Sequence, residues 1–140
     1  MKHFKFNLLK IIFFSAILLC IYSCTTTQSY TPDFNNNKEE VLNAIKTQYG
    51  FEDITFVGKK QSGSNGDHTS ITVKFINGKN IPTDTAQWTV LEKQLGSQVK
   101  TIVKDPKEFE TYIILFDKKV TDGAVTSENY TGHEFKLSEL

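Results

Sequence analysis

The hydrophobic positions after residue 37 follow a helical period, then alternate, and then repeat this succession of patterns. In the first helical stretch they recur at spacings of three and four residues, at Val41, Leu42, Ile45 and Tyr49. Asn37 precedes the stripe as a cap, and Glu40 three residues later completes a variant of the capping box. Gly50 follows it and supplies the left-handed conformation that ends many helices. The pattern predicts a helix from Asn37 to Tyr49.

A second helical stripe lies further along the chain. Asp84 with Gln87 provides its cap, and the pattern predicts a helix from Asp84 to Val103. Gly96 interrupts this helix at a cost of about 1 kcal/mol relative to Ala, which indicates close packing or a kink. The apolar positions of the stripe are Trp88, Leu91, Leu95, Val99 and Ile102.

Two pairs of strands are predicted by changes of period. Residues 54–56 and 71–75 alternate between apolar and polar side chains, and a loop rich in Gly, Ser, Asn and Asp over 62–68 joins them as a hairpin. Residues 109–116 form a nearly continuous apolar run, which is typical of a strand covered on both faces or central in a sheet. The Asp122-Gly123 turn leads to a last strand that carries His133, Phe135 and Leu137 on one face.

These elements predict an α+β domain in the order α-β-β-α-β-β. Its simplest arrangement is a two-layer sandwich in which a four-stranded antiparallel sheet carries both helices on one face, with a cystatin-like fold as the alternative. Residues 25–36 are polar, contain Pro32 and show neither helical spacing nor strand alternation of apolar residues. We therefore predict a flexible tether over 24–36. The remaining residues, 37–140, suit a single domain.

The first 23 residues have the composition of a signal peptide. Lys2, Lys5 and Lys10 precede an apolar run from Ile11 to Tyr22. This run has 12 residues, whereas a helix needs about 20 apolar residues to cross a bilayer. We therefore predict a cleaved signal peptide over 1–23 rather than a permanent membrane span.

The end of that segment, Ile21-Tyr22-Ser23-Cys24, resembles the lipobox of bacterial lipoproteins, although Tyr22 is bulkier than is usual there. The resemblance implies that a signal peptidase recognises Ile21, Tyr22 and Ser23 and cuts before Cys24. It also implies that Cys24 then carries a diacylglycerol on its sulfur and an acyl chain on its amine. Burial yields about 0.8 kcal/mol per CH₂, so two or three chains hold a protein firmly in a membrane. No cofactor besides this covalent lipid is expected.

The residues after Cys24 bear on where such a lipoprotein is sorted. They read Thr25-Thr26-Thr27-Gln28-Ser29, without the second-place Asp that favours retention in the inner membrane or the acidic cluster that Bacteroidetes use for export to the surface. The resemblance therefore implies the periplasmic leaflet of the outer membrane. Many Lys and Asn residues without any Arg suit an AT-rich genome, and we interpret the chain as a small Bacteroidetes-type envelope lipoprotein.

Charge excludes one class of partner. All 16 basic residues are lysines, so the planar guanidinium that grips phosphate in bidentate fashion is absent. Without the three lysines of the signal peptide, the chain has 13 lysines against 16 acidic residues. A mature chain with an acidic balance lacks the basic surface of nucleic-acid-binding proteins. We expect no nucleic acid as a partner.

Candidate chemical groups are few. His68, His133 and Asp67 are tentative ligand-binding or metal-binding residues, but zinc sites need three or four ligands and the spacing of such a site is missing. We therefore predict no metal site. Ser62 and Ser64 do not match the G-x-S-x-G nucleophile motif, and the nearby glycines lack the Gly-Lys-Ser/Thr of a phosphate loop. No catalytic residue is predicted, and we expect the protein not to be an enzyme.

Three functions remain open on these observations. The favoured one is a non-catalytic envelope lipoprotein whose small domain binds an envelope protein or a cell-wall component. The second is a periplasmic domain that binds or hydrolyses a small ligand on the concave face of the sheet, with His133, Asp67 and His68 as participants. The third is a lipoprotein inhibitor or immunity protein.

Overall fold

The computed structural model describes residues 25–64, 66–123 and 125–140. These residues form two α-helices, which we name α1 and α2, and one five-stranded mixed sheet. The strands lie in the sheet in chain order; β3 and β4 are parallel, and the other neighbouring pairs are antiparallel. Along the chain the elements are β1 (Thr26–Tyr30), α1 (Lys38–Tyr49), β2 (Asp53–Gly63), β3 (Gly66–Ile76), α2 (Trp88–Ile102), β4 (Thr111–Asp122) and β5 (Val125–Lys136).

The core lies between the two helices and one face of the sheet. Alternate residues of each strand point to this face, and the register of β3 and β4 places their buried residues side by side. The matched pairs are Ile71 with Tyr112, Val73 with Ile114 and Phe75 with Phe116. The opposite face, which we call the open face, carries mainly polar and charged side chains, with a few apolar ones such as Val57, Ile113 and Leu115 among them. The molecule therefore has two layers.

The helices begin and end close to the predicted residues. Gly50 caps α1 in the left-handed conformation with φ 67°, whereas the Asn37 side chain makes no capping hydrogen bond. A 3₁₀ turn over Thr85–Gln87 precedes α2, and the Asp84 carboxylate caps this turn by accepting a hydrogen bond from the Ala86 N–H at 3.0 Å. Gly96 marks close packing, because a Cβ there would lie 2.9 Å from a methyl carbon of Leu140.

The prediction of a four-stranded antiparallel sheet is wrong, and so is the related cystatin-like alternative. The order α-β-β-α-β-β omits a strand, because residues expected in the tether form β1 at the edge of the sheet. The sheet is also mixed, because β3 and β4 are parallel. Parallel strands need a crossover between them, and α2 provides it by returning the chain to the end of the sheet where β3 begins. β4 accordingly starts beside Ser70.

β1 is held by one aromatic side chain. The Tyr30 ring covers Gly58 so closely that a Cβ on Gly58 would lie 2.9 Å from it. The Tyr30 hydroxyl donates a hydrogen bond to the Glu108 carboxylate at 2.8 Å, and its ring stacks on Phe109 at 6.3 Å. Further along, the backbone N–H of Asn35 donates a hydrogen bond to the Ile102 carbonyl oxygen at 2.8 Å. Residues 26–35 therefore lie against the domain instead of standing away from it.

The two long hairpins project from opposite ends of the sheet. The β2–β3 turn lies where β3 begins, and the β4–β5 turn lies where β4 ends. β3 stops beside Asp117, so residues 118–122 pair only with residues 125–129. We call this exposed two-stranded extension the ribbon.

Alkaline pH is expected to destabilise the fold through two tyrosines. Burial, followed by the hydrogen bond to Glu108, raises the pKa of Tyr30 to about 12. Burial, followed by the charge of Asp105, raises the pKa of Tyr112 to about 12. The unfolded tyrosine has a pKa of about 10, so the folded state holds these protons more tightly. The resulting stabilisation is complete below pH 10 and is lost as pH rises toward 12.

Urea denaturation between pH 9 and 12, about the range spanned by the two pKa values, measures this loss. We expect the free energy of unfolding of the wild type to fall across the upper part of the range. The Tyr30→Phe/Tyr112→Phe variant should show a shallower fall, because both linked protons are removed. Equal slopes for the two proteins would contradict this assignment.

Gly132 is expected to be essential to β5. A Cβ at this position would lie only 2.0 Å from the Ile114 carbonyl oxygen, and a backbone atom cannot rotate away. We expect Gly132→Ala to lower the free energy of unfolding by about 1–3 kcal/mol, the usual range for an overpacked site. Gly63→Ala is the matched control, since its Cβ would meet the movable Thr25 hydroxyl at 3.2 Å. Equal urea midpoints for the two variants would refute the prediction.

Candidate functional site

A groove lies where the ribbon overhangs the N-terminal end of α2. Its volume is about 590 Å³. The residues of β4 and β5 that line it from the helix side follow the alternation of the strands, since Lys118 and Thr131 share a face with the buried Phe116. We call it the Trp88 groove; its lining consists of Phe75, Asn77, Gly78, Lys79, Ile81, Trp88, Phe116, Asp117, Lys118, Asn129 and Thr131.

The floor of the groove is aromatic and fixed in position. Trp88 is the first residue of α2, and its ring meets Phe116 edge-on with the ring centres 5.9 Å apart. The indole N–H donates to the Pro82 carbonyl oxygen at 2.6 Å, which sets the orientation of the ring. The ring of Phe51 packs beneath the floor, with its centre 5.0 Å from the ring centre of Phe75 and 6.0 Å from that of Phe116. An apolar group in the groove would therefore meet a preformed surface.

One wall of the groove is a loop held by Asn77. This residue has φ 54°, in the left-handed region that Asn tolerates better than most residues. Its side-chain oxygen accepts the Lys119 N–H at 2.8 Å, and its side-chain amide donates to Glu52 at 2.6 Å. The loop between β3 and α2 is therefore fixed to β4.

The rim carries polar groups that are available to a ligand. Within the described residues, the side chains of Asn129 and Thr131 make no hydrogen bond. Lys79 and Lys118 have no acidic side chain within 4.0 Å in that same part of the chain. An occupant could therefore form hydrogen bonds and ionic contacts without displacing existing partners.

Asp117 also borders the groove, but the alternation of β4 directs it to the open face, opposite to Lys118. It is 4 % exposed, and its nearest cation is the Lys74 ammonium at 3.9 Å. One of its oxygens is buried without a hydrogen-bond partner among the described residues. The Lys74 charge partly offsets its charge on the side away from the groove.

A larger depression of about 810 Å³ lies on the other side of the loop, between Pro82 and Val90. It is more open to solvent than the Trp88 groove. Since a ligand loses more contact with water in an enclosed site, we take the Trp88 groove as the candidate functional site.

The structure does not bring the three predicted ligand residues together. His133 points to the helix face of β5, level with Ile114 and Val73, whereas His68 points to the open face of β3. Asp67 lies six residues before Val73, or about 20 Å along the strand. The pKa of Asp67 is lowered by a hydrogen bond from Ser62 and then by Lys60, and both of these lie in the same hairpin.

The environments of the two histidines differ. His68 contacts Glu110 at 3.1 Å, and both side chains are more than half exposed. The Nδ1 atom of His133 lies 2.5 Å from a carboxylate oxygen of Glu92 in α2. The histidine side chain is 56 % exposed, whereas the glutamate side chain is completely buried. One oxygen of Glu92 has no partner among the described residues. The imidazole of His133 therefore covers a buried carboxylate.

The Glu92–His133 pair adjoins the groove. Glu92 lies one helical turn after Trp88, and His133 lies two residues after Thr131 on the same face of β5. Sequence reasoning missed Glu92, although a signal was present: it is a charged residue next to Leu91 in the apolar stripe of a helix. A buried carboxylate with a polar partner often costs stability relative to apolar residues.

No metal site is formed by the described residues, because no three His, Cys, Asp or Glu side chains among them lie together. None of the helices in residues 25–64, 66–123 and 125–140 combines the length and the apolar character that crossing a membrane requires. The predicted signal peptide and the lipobox Ile21-Tyr22-Ser23-Cys24 lie outside the described residues.

No protein-family model matches the chain, and no curated protein or solved structure is significantly similar to it.

Loss of His133 is expected to destabilise the domain. His133→Ala leaves a buried carboxylate oxygen of Glu92 without a partner, which costs about 1–3 kcal/mol in the free energy of unfolding. Replacing both residues by leucine in Glu92→Leu/His133→Leu should restore or exceed wild-type stability, because no buried carboxylate then remains. Urea denaturation at pH 7 measures both effects.

His68→Ala is the matched control for this prediction, since it removes a histidine from an exposed carboxylate. Exposed ion pairs contribute about 0–1 kcal/mol, and we expect a change at the low end of that range. A His133→Ala variant no less stable than His68→Ala would show that the buried contact with Glu92 contributes nothing.

Proposed function

We propose that the protein is a lipid-anchored envelope protein whose non-catalytic domain binds an envelope protein or cell-wall component in the Trp88 groove. The diacylglycerol and acyl chain on Cys24 hold it in the periplasmic leaflet of the outer membrane. The resemblance of residues 21–24 to a lipobox supports the anchor.

The positions of the N-terminus of the domain and of the groove carry this proposal. Thr25, which follows Cys24 in the chain, lies beside Gly63 at the β2–β3 turn. The groove lies at the other end of the sheet. From Asp67, which pairs with Ser62, to Phe75 in the groove floor is eight residues of β3, or about 26 Å. A lipid on Cys24 would therefore place the groove on the side of the domain away from the bilayer, open to partners in the periplasm.

The lining of the groove supports binding as its role. Aromatic side chains such as Trp88 contribute strongly to recognition when they lie at the centre of a contact, with polar groups around them. The volume of about 590 Å³ also falls within the range of small-ligand sites, about 300–1,000 Å³. This volume supports the second candidate, a small-ligand-binding domain. We do not propose hydrolysis by His133, Asp67 and His68, because these three side chains do not lie together.

Removal of the acceptor cysteine tests the anchor. We expect the wild type to sediment with outer membranes and Cys24→Ala to remain in the soluble fraction, since the acyl chains supply the binding free energy. Mass spectrometry of the wild type should show a lipid-modified Cys24 at the amino terminus. An unmodified terminus, or equal fractionation of the two proteins, would overturn the proposal.

Photo-crosslinking in cells that produce the lipidated protein tests the position of the contact site. A photo-crosslinking amino acid at Ser127, on the groove side of the ribbon, should join the wild type to a discrete envelope component. The same amino acid at Ser70, on the open face, serves as the matched control. Equal crosslinking from both positions would place the contact elsewhere.

A further inference from the structure

We infer that the Trp88 groove binds the C-terminal residue of a partner chain, with an apolar side chain on the aromatic floor and the free carboxylate at Lys79 and Lys118. The inference rests on the proposed function, since it names the chemical group that the groove receives. It follows from three features of the groove: the aromatic floor, the polar side chains of the rim and the two lysines that have no acidic partner among the described residues.

The charge of the rim selects an anion. Lys79 and Lys118 border one groove from two different segments, and neither has an acidic partner within 4.0 Å among the described residues. The acidic residue of the lining, Asp117, already lies near Lys74 on the open face. A carboxylate is the anion that a protein partner can supply together with an apolar group.

The neutral part of the rim selects a peptide rather than an acyl chain. Asn129 and Thr131 present an amide and a hydroxyl beside the floor, and the described residues leave both without side-chain partners. A terminal residue offers its own N–H and the preceding carbonyl to such groups. An acyl chain would desolvate them without replacing their hydrogen bonds to water, which is unfavourable. The groove is therefore matched to all three parts of a terminal residue.

Trp88 provides a direct measure of occupancy. It is the single tryptophan of the chain, and it lines the groove. Its fluorescence therefore reports on the site without a label. The full-length lipidated protein in a non-ionic detergent is titrated with N-acetyl-phenylalanine and, separately, with N-acetyl-phenylalaninamide. The two probes differ in the terminal carboxylate alone.

We expect N-acetyl-phenylalanine to bind about tenfold more tightly than the amide, the preference that one charge-assisted contact confers. The preference should shrink with added salt, because the lysines are near the surface. In Lys79→Gln/Lys118→Gln it should disappear, whereas the control Lys59→Gln/Lys60→Gln, at the other end of the sheet, should retain it.

Other outcomes overturn the inference. Equal affinity for the two probes would show that the carboxylate is not recognised. Tighter binding of octanoate than of N-acetyl-phenylalanine would identify an acyl chain as the occupant. Absence of any fluorescence response to N-acetyl-phenylalanine would also refute it. In each case membrane fractionation of Cys24→Ala still decides the anchor independently, so failure of the inference is distinguishable from failure of the proposed function.

Discussion

The parallel pairing of β3 with β4 is the constraint on which the rest of the architecture depends. Because the two strands run in one direction, the chain has to cross back between them, and α2 makes this crossing over the buried face. The same pairing sends the β2–β3 and β4–β5 turns to opposite ends of the sheet. The ribbon then extends past the start of α2, and the space beneath it becomes the groove. Antiparallel pairing at this position would have removed the overhang and the groove with it.

Local chemistry was sufficient to predict the helices. A stripe of apolar residues and a terminal Gly50 determine α1 with little help from the rest of the chain. Periodicity also indicated most of the strands, but it contains no information about strand direction or partner. β1 shows this limit clearly, since its five residues are almost entirely polar. It forms because β2 offers an unpaired edge and because Tyr30 packs on Gly58 and bonds to Glu108, which is 78 positions away in the chain.

The candidate site was less accessible to sequence reasoning for a related reason. The sequence presents His68 and His133 as candidate ligands because of the chemistry of histidine, but the face on which each side chain lies depends on the register of its strand. A shift of one residue moves every side chain of a strand to the other face. The groove itself is assembled from β3, α2 and the ribbon, so no continuous motif encodes it. Glu92 is the exception, since a charge within an apolar helical stripe can be recognised from the order of amino acids alone.

The early start of β1 at Thr26 has a further consequence for a chain anchored at Cys24. One residue then separates the lipid from the sheet edge, so the folded domain itself acts as the spacer. The groove would then stay at a nearly constant distance from the lipid headgroups, whereas a long flexible linker would let that distance vary widely. A partner embedded in the same leaflet would thus encounter a high local concentration of binding sites, provided that its own recognition segment projects to that height.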